Sequence, residues 1–473
     1  MKRTFKIGVL ATAAVVLAGC ASVNFDQTLA DTSGTLGTFT QGKLELSRTQ
    51  EQAQARSKLT ADLLVQPLGM NEAVQLSLVN SPAMQALLAQ SWADMAQAEQ
   101  SGKLANPVFS FERMRLGDEL ELGRLLSFGL LELLTLPRRQ AIAQAQIEQA
   151  QVQLSATVVE QVTQVRQAWV RAVATQQSVQ YAQQVNAAAQ AGAELARRMQ
   201  QAGNFNKLQR AREQSFYAEA VAQLASVQHA ATAAREELVR QLGLNDVQAT
   251  QLQLPDRLPD LPKTPHQASV VTAGAKEQRL DVQLARHQLD VAGKSQGLNL
   301  LTSVLDVELG IRRDTVFDNA EGTRSTRKGY ELDLRLPLFD WGTSQRAAMN
   351  AQSLAAANRY ENTVRGASSQ LRESYSAYRT AYDVARHYRD EIVPLRKTMG
   401  EETMLRYNGM LIGVFELLAD TREQITSVTA AINAYQQFWL ADAALAASMA
   451  GKPTSAGAMP VSSAASAGAA GGH

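Results

Sequence analysis

A few strictly alternating segments interrupt a sequence that otherwise has the pattern of long helices. Residues 330–336 read YELDLRL, and residues 305–312 read LDVELGIR. In both segments apolar residues occupy every second position, and charged residues or glycine occupy the positions between them. A two-residue period predicts strands with one apolar and one polar side. The chain therefore has to place a few two-sided strands within a mainly α-helical fold.

The helical pattern runs in blocks that are longer than a compact domain requires. In the second block Val158, Val162, Val165 and Trp169 step by four, three and four, which is typical of helices packed as coiled coils. A helix of about 65 residues would be ~100 Å long, and a stack of shorter helices is the alternative. The fifth block repeats this spacing at Leu371, Tyr375, Tyr378 and Tyr382. The predicted blocks are 71–104, 138–202, 206–242, 266–297, 343–408 and 414–450.

The sequence is internally duplicated. Residues 203–214 (GNFNKLQRAREQ) align with residues 413–424 (GVFELLADTREQ), so that a glycine, a phenylalanine and an Arg-Glu-Gln triplet coincide. Such similarity predicts a repeated structural unit. We expect a first repeat at 61–242, a Pro-rich linker at 243–265, a second repeat at 266–450 and a disordered small-residue tail at 451–473.

Each repeat carries two candidate strands joined by a polar loop. The strands are predicted near 107–113 and 124–134 in the first repeat, and near 303–313 and 329–338 in the second. The loops are then 114–123 and 314–328.

The N-terminus has the pattern of a secretory signal. Basic residues precede an apolar run at 7–18 that is too short to span a bilayer, which predicts a signal peptide at 1–19. The run ends in Leu-Ala-Gly-Cys, which resembles the bacterial lipobox and implies cleavage before Cys20 and acylation of that residue. A chance cysteine at an ordinary cleavage site is the alternative. Ala21 follows where inner-membrane lipoproteins often have Asp, so the expected location is the outer membrane of a Gram-negative bacterium, reached by a lipidated, extended tether at 20–60.

The four strands cannot form a closed membrane structure within one chain. A transmembrane strand needs about 9–11 residues, and the smallest bacterial barrels have eight strands. Since open edges in lipid leave backbone groups unsatisfied, we expect three copies to supply twelve strands. A small soluble sheet covered by helices is the alternative. The charged face would line a wet lumen through Asp306, Glu308, Glu331, Asp333 and Arg335.

Composition argues against other classes of function. A formal net charge of +1, without a basic stripe interleaved with aromatic residues, gives no case for nucleic-acid binding. The histidines are scattered, and no HExxH motif or phosphate-cradling glycine loop occurs. His387 and Glu391 could place two ligands on one helix face, but a surface pair is the preferred interpretation. We therefore expect no enzyme activity, no bound metal and no cofactor other than the lipid on Cys20.

Taken together, these features resemble TolC-like outer membrane factors. The lipobox, the duplication, the segment PLFDWG and the segment RYNGMLIGVFELLADTREQ carry the resemblance, which covers residues 60 to 450. It implies a mostly α-helical fold with a small transmembrane β portion, a homotrimer, a twelve-stranded barrel and a periplasmic α-helical tunnel. It also implies a periplasmic adaptor protein and an inner-membrane transporter as partners, and passive export through the outer membrane.

The resemblance assigns roles to the turns between the long helices. In the family these turns form the periplasmic tip that meets the adaptor and closes the pore. A glycine at each turn, Gly203 or Gly413, would allow the sharp reversal of the chain. Phe205 and Phe415 could be exposed anchors, or they could pack inside the turns. The family often has its glycine one place later than Gly409. The matching adaptor-contact positions are Gly203, Asn204, Phe205, Gly413, Val414 and Phe415, and the gate candidates are Arg406, Tyr407, Glu416 and Asp420.

Two functions remain open on the sequence alone. The first is an export duct of a tripartite efflux system, and the second is a lipid-anchored periplasmic scaffold of helical hairpins without a pore. A periplasmic enzyme is a third and weaker interpretation. The sequence does not identify the exported substrate.

Overall fold

A computed structural model gives the fold. It describes residues 24–268, 278–302, 306–318, 320–335, 339 and 341–453. The predicted signal peptide, Cys20, most of the predicted tail and the strand ends at 303–305 and 336–338 lie outside the described residues.

Helices dominate the described chain. The longest, α5, follows β2 directly and ends shortly before α6 begins, while α9 and α10 are separated by a single π-helical turn at Tyr388–Ile392. The helices are α1 (Phe25–Thr40), α2 (Gln50–Leu63), α3 (Met70–Asn80), α4 (Pro82–Ser101), α5 (Leu130–Gln201), α6 (Lys207–Leu242), α7 (Asp246–Gln251), α8 (Leu280–Thr302), α9 (Thr343–His387), α10 (Val393–Asn408) and α11 (Val414–Ala450).

The strands form one four-stranded antiparallel sheet in the order β1-β2-β3-β4. Each half of the chain contributes one hairpin: β1 (Val108–Leu116) with β2 (Glu119–Gly129), and β3 (Asp306–Asp318) with β4 (Thr323–Arg335). The two hairpins join through β2 and β3, with Leu126 opposite Ile311. The predicted fold class, long helices with four strands in a duplicated arrangement, is therefore confirmed at the level of the elements.

The strand limits differ from the predicted ones. Residues predicted as polar loops continue the strands, so that only two residues separate β1 from β2. Gly117 supports this tight turn with φ +60°, a conformation open to glycine at little cost. Residues 130–134, predicted as strand, form the first turn of α5. These residues read LLELL, an apolar run without a two-residue period. Such a short run does not distinguish a strand from a buried helix, so the strand prediction for it was wrong.

The predicted extended tether contains helices. Residues Phe25, Leu29 and Leu36 of α1 are all buried, which gives this Thr- and Gly-rich segment an apolar helical stripe that its composition obscures. The second helix, α2, begins at a capping box in which Thr49 and Gln52 exchange side-chain and backbone hydrogen bonds.

Prolines interrupt two of the predicted helical blocks. Ser81 adopts an extended conformation before Pro82, so the first block is two helices. In the fifth block, Pro394 lacks the N–H that would continue the helix. The chain accommodates it with a π-helical turn, in which the N–H of Val393 bonds to the carbonyl of Tyr388. In the block predicted at 266–297, α8 begins at Leu280, and residues 269–277 lie outside the described residues.

Contacts divide the chain into two compact units. One unit holds Ala89–Leu154 and Asp281–Arg365 with the chain up to Thr28, and it includes the sheet. The other holds Leu29–Leu88, Ser155–Leu280 and the chain from Gly366 onward. Each unit therefore takes segments from both halves of the duplicated sequence.

The Pro-rich segment at 243–265 is packed into the second unit. Its leucines at 252, 254, 258 and 261 are buried. The hydroxyl of Tyr382 donates to the carbonyl of Pro262 at 3.0 Å. The indole N–H of Trp439 donates to the carbonyl of Pro259 at 3.1 Å. Side chains of α9 and α11 thus satisfy carbonyls in the part of this segment that follows α7, which forms no helix or strand.

We expect Tyr382→Phe to lower the free energy of unfolding by about 1 kcal/mol, because it removes a hydroxyl from a half-buried hydrogen bond while keeping the ring. Tyr360→Phe on the same helix is the matched control and should have little effect. The measurement is the urea-unfolding midpoint of each variant. Equal midpoints for the two variants would contradict a stabilising role for this contact.

Candidate functional site

The first hairpin, formed by α5 and α6, turns through a Schellman motif. Gly203 has φ +81° and its N–H bonds to the carbonyl of Gln200, while the N–H of Asn204 bonds to the carbonyl of Met199. Asn206 then caps α6 in a capping box with Gln209. Gly203 therefore serves as predicted, since the turn requires a left-handed residue at its position.

The second hairpin, formed by α10 and α11, makes the same kind of turn with a different residue. The left-handed position is Met410, with φ 59°, whereas Gly409 has φ −78°. The N–H of Leu411 bonds to the carbonyl of Arg406, which completes the motif. Because the glycine comes one residue too early in the sequence, Met410 has to adopt the left-handed conformation, which is strained for a residue with a side chain. Gly413 has φ −82° and precedes α11 as its N-cap, so its predicted role in the reversal is wrong.

Both predicted tip phenylalanines pack between the two hairpins. The rings of Phe205 and Phe415 stack with centroids 4.4 Å apart and planes inclined by 24°. They share an apolar cluster with Ala196, Met199, Val414 and Leu418. The packed alternative therefore describes them, and neither ring is a free anchor.

The exposed apolar surface of the turns lies elsewhere, on the second hairpin. Met410 is 93% exposed and Leu411 is 77% exposed, and Leu405 is exposed beside them. Sequence reasoning missed these residues because it transferred the family's glycine and phenylalanine positions. The apolar run Met410-Leu411-Ile412 was the signal that could have found them.

An ion pair joins the two hairpins beyond the aromatic stack. Arg422 Nη2 lies 2.7 Å from Glu213 Oε1, and the carboxylate side chain is only 4% exposed. The guanidinium of Arg422 also lies over the ring of Phe216, 4.6 Å from its centroid. Both charged residues belong to the duplicated Arg-Glu-Gln triplets, one from each half.

The copies of these residues behave differently. Glu423 accepts a hydrogen bond from Arg396 at 2.5 Å, and this pair lies within the second hairpin. Glu213 thus links the two hairpins, whereas its counterpart Glu423 pairs within the second hairpin. Sequence reasoning used the triplets as a sign of duplication and did not assign them a contact.

The predicted gate residues do not form a network within the described part of one protomer. Arg406, Tyr407 and Glu416 are exposed and Asp420 is half-buried, and no ion pair joins any of them to another described residue. Their roles stay predictions.

The predicted lumen residues share one face of the sheet. The register places Asp306 opposite Arg335, Glu308 opposite Asp333, and Gly310 opposite Glu331. On the same face the guanidinium of Arg312 contacts the carboxylates of Asp314, Glu112 and Glu331 at 3.0, 3.3 and 3.7 Å. Gly123 leaves room for this cluster, because a Cβ there would lie 3.3 Å from Asp314 Oδ1. This face is predominantly acidic, and the opposite face carries most of the apolar residues and none that is acidic.

Among the described helices, none combines the length and apolar character needed to cross a membrane.

The contrast between the two turns gives a prediction on stability. Gly203→Ala should lower the free energy of unfolding by about 1 kcal/mol because its φ is positive, whereas Gly409→Ala should be nearly neutral. Met410→Gly should raise the free energy by about 0.5–1 kcal/mol by relieving the strained φ. Thermal or urea unfolding of the three variants is the measurement. Equal costs for the two glycine variants would contradict the assigned turn conformations.

The comparisons with known proteins bear on the fold. No protein-family model matches the chain, and no curated protein sequence matches it either. The outer membrane protein VceC of Vibrio cholerae is structurally similar, with a TM-score of 0.66 and 15% identity over 81% of this chain and 96% of VceC. The CmeC outer membrane channel of Campylobacter jejuni gives a TM-score of 0.67 at 12% identity over 87% of this chain and 89% of CmeC.

The open state of the MtrE outer membrane channel of Neisseria gonorrhoeae is also similar, with a TM-score of 0.63 and 17% identity over 81% of this chain and 89% of MtrE. At such identities the likeness concerns the fold. The chain therefore has the TolC-like fold of these outer membrane channels.

Proposed function

We propose that the protein is the outer membrane duct of a tripartite efflux system and belongs to the TolC-like outer membrane factors. The observation that carries the proposal is a four-stranded sheet with one predominantly acidic face and one face without acidic residues, whose two edges are unpaired in the described part of the chain. The channels that share the fold support it. In this role the protein catalyses no reaction, and it provides an exit for substrates that an inner-membrane transporter delivers.

The sheet edges support assembly from several copies. The edge strand β1 is exposed along its entire length, and β4 is exposed along nearly all of it. An unpaired edge in lipid would cost several kcal/mol for each unsatisfied backbone group. Pairing β1 of one protomer with β4 of the next satisfies both edges, and three protomers give a closed barrel of twelve strands.

The turns of the two hairpins are suited to meet a periplasmic adaptor. Met410 and Leu411 offer apolar side chains at the end of the second hairpin, where a partner could bury them. The Glu213–Arg422 pair and the stacked phenylalanines hold the two hairpins together. We propose that parting these contacts opens the end of the tunnel, and that an acyl chain on Cys20 adds an anchor in the outer membrane.

A duct lined by the acidic sheet face should select cations. In planar bilayers we expect the ratio of cation to anion permeability to fall by roughly twofold or more when Glu331→Gln and Asp333→Asn are combined, because two lumen charges per protomer are lost. Glu51→Gln, an exposed carboxylate on α2, is the control. If neither the wild-type trimer nor variants of the hairpin turns show conductance, the pore-free scaffold is the better interpretation.

The link between the hairpins gives a second test. Arg422→Gln should raise single-channel conductance or open probability, since Glu213 loses the cation that joins its hairpin to the other. Arg396→Gln removes a pair that lies within one hairpin, and it should leave conductance unchanged. Trimer content on size exclusion is checked for both variants. If both variants conducted as the wild type does, the Glu213–Arg422 pair would have no part in opening the channel.

A further inference from the structure

The apolar face of the sheet also carries a group of cations close to the hairpin turns. By strand alternation and register, this face holds every second residue of the four strands, and none of those residues is acidic. Its cations are called here the basic belt: Arg113, Arg115, Arg124, Arg313, Arg324 and Lys328. No basic stripe was recognised in the sequence, because these residues come from four strands and only the sheet brings them together.

The belt contains a row of like charges across adjacent strands. Arg313 pairs directly with Lys328. Arg124 stands opposite Arg313 when the register is continued between Leu122↔Thr315 and Leu125↔Arg312. Like charges directly opposite each other destabilise a sheet. Within the described chain no ion pair to a carboxylate relieves this row, in contrast to Arg312 on the other face, which contacts several.

A buried hydroxyl in the next row also lacks a partner. Thr315 is 1% exposed, and its Oγ1 has no hydrogen-bond partner among the described residues. The register places Thr315 beside Leu122 and Thr326, between the row of cations and the turns. Arg324 is held over the ring of Phe317 on the same face, 5.3 Å from the centroid. The belt is thus a cationic surface whose central row has no carboxylate partner among the described residues.

Immediately next to the belt the same face becomes apolar and strongly exposed. Phe109, Phe111, Ile311, Tyr330 and Leu332 are all more than half exposed. The surface therefore changes from aromatic and aliphatic to cationic along the strands, toward the turns. An amphiphile could place its acyl chains against the apolar zone and its anionic headgroup against the cations.

Under the proposed function this face meets lipid, and the present inference rests on that placement. A Lys or Arg on the lipid face is strongly destabilising at the bilayer midplane and far less so near the interface with water. Cations confined to the turn end of the sheet therefore belong at headgroup level. The like-charged pair Glu308 and Asp333 differs, because it lies on the face that water would solvate.

We propose that the basic belt binds the phosphate groups of anionic lipid headgroups while the adjacent apolar zone contacts their acyl chains. The belt fixes the depth of the barrel in the membrane and retains a ring of phosphorylated lipid around it. The row Arg124, Arg313 and Lys328 supplies the central phosphate contacts.

The test uses the full-length trimer purified in detergent and titrated with lipid A, a phosphorylated glycolipid, with bound lipid measured by native mass spectrometry. We expect lipid A to bind more tightly than phosphatidylcholine and its affinity to fall with added salt. Combining Arg124→Gln, Arg313→Gln and Lys328→Gln should weaken lipid A binding by about a hundredfold, since each cation near an anionic lipid surface contributes about fivefold.

Arg327→Gln is the matched control, because Arg327 adjoins Lys328 in the same strand but lies on the opposite face. It should change the affinity by less than about twofold. Lys328→Gln alone should lower the affinity by about fivefold, and it serves if the triple variant does not assemble. Equal affinities of Lys328→Gln and Arg327→Gln, or equal binding of lipid A and phosphatidylcholine, would overturn the proposal.

Conductance in phosphatidylcholine bilayers separates this proposal from the proposed function. A wild-type trimer that conducts but does not discriminate between the two lipids would refute the lipid site alone. A wild-type protein that neither forms trimers nor conducts would refute the duct, and the placement of this face in lipid with it.

Discussion

Unpaired backbone groups at the two edges of one small sheet govern how this fold can be used. A helix satisfies its own backbone, whereas a strand depends on its neighbours, and in lipid no water can substitute for a missing neighbour. The described chain contains four strands and therefore two edges. Closure by further copies, as proposed above, would remove both edges at once. The duplicated sequence, the segregated faces of the sheet and the long helices that continue from its strands are all consistent with that closure.

The general architecture could be predicted from the sequence because its signals are long and periodic. The two-residue period of YELDLRL placed β4, and the spacing of Val158, Val162, Val165 and Trp169 identified the seam of α5. Strand limits could not be predicted equally well. The residues that extend β3 and β4 are polar and resemble a loop in composition, and their strand structure depends on pairing with each other across the hairpin. Pairing of this kind depends on contacts between strands, which the pattern of a short sequence segment does not show.

In the candidate site, too, some features could be predicted from the sequence and others could not. Gly203 was predictable because a left-handed turn residue has a strong preference for glycine. Its counterpart was not, since the second turn uses Met410 and leaves Gly409 in an ordinary conformation. The contact of Glu213 with Arg422 was also hidden, because equivalent residues of the two triplets adopt different partners. Duplication preserves residue types more faithfully than it preserves contacts, so the two hairpins have to be analysed separately.

The π-helical turn before Pro394 has a consequence for the second hairpin. A π-helical turn contains about one residue more than an α-helical turn, so side chains beyond it are rotated by about 100° about the helix axis relative to an unbroken helix. Residues of α10 that would continue the apolar stripe of α9 are thereby moved to another side of the rod. A single continuous helix can in this way use one row of side chains for packing before the π-helical turn and a different row after it. Deleting one residue of the turn would align the two rows along the helix axis.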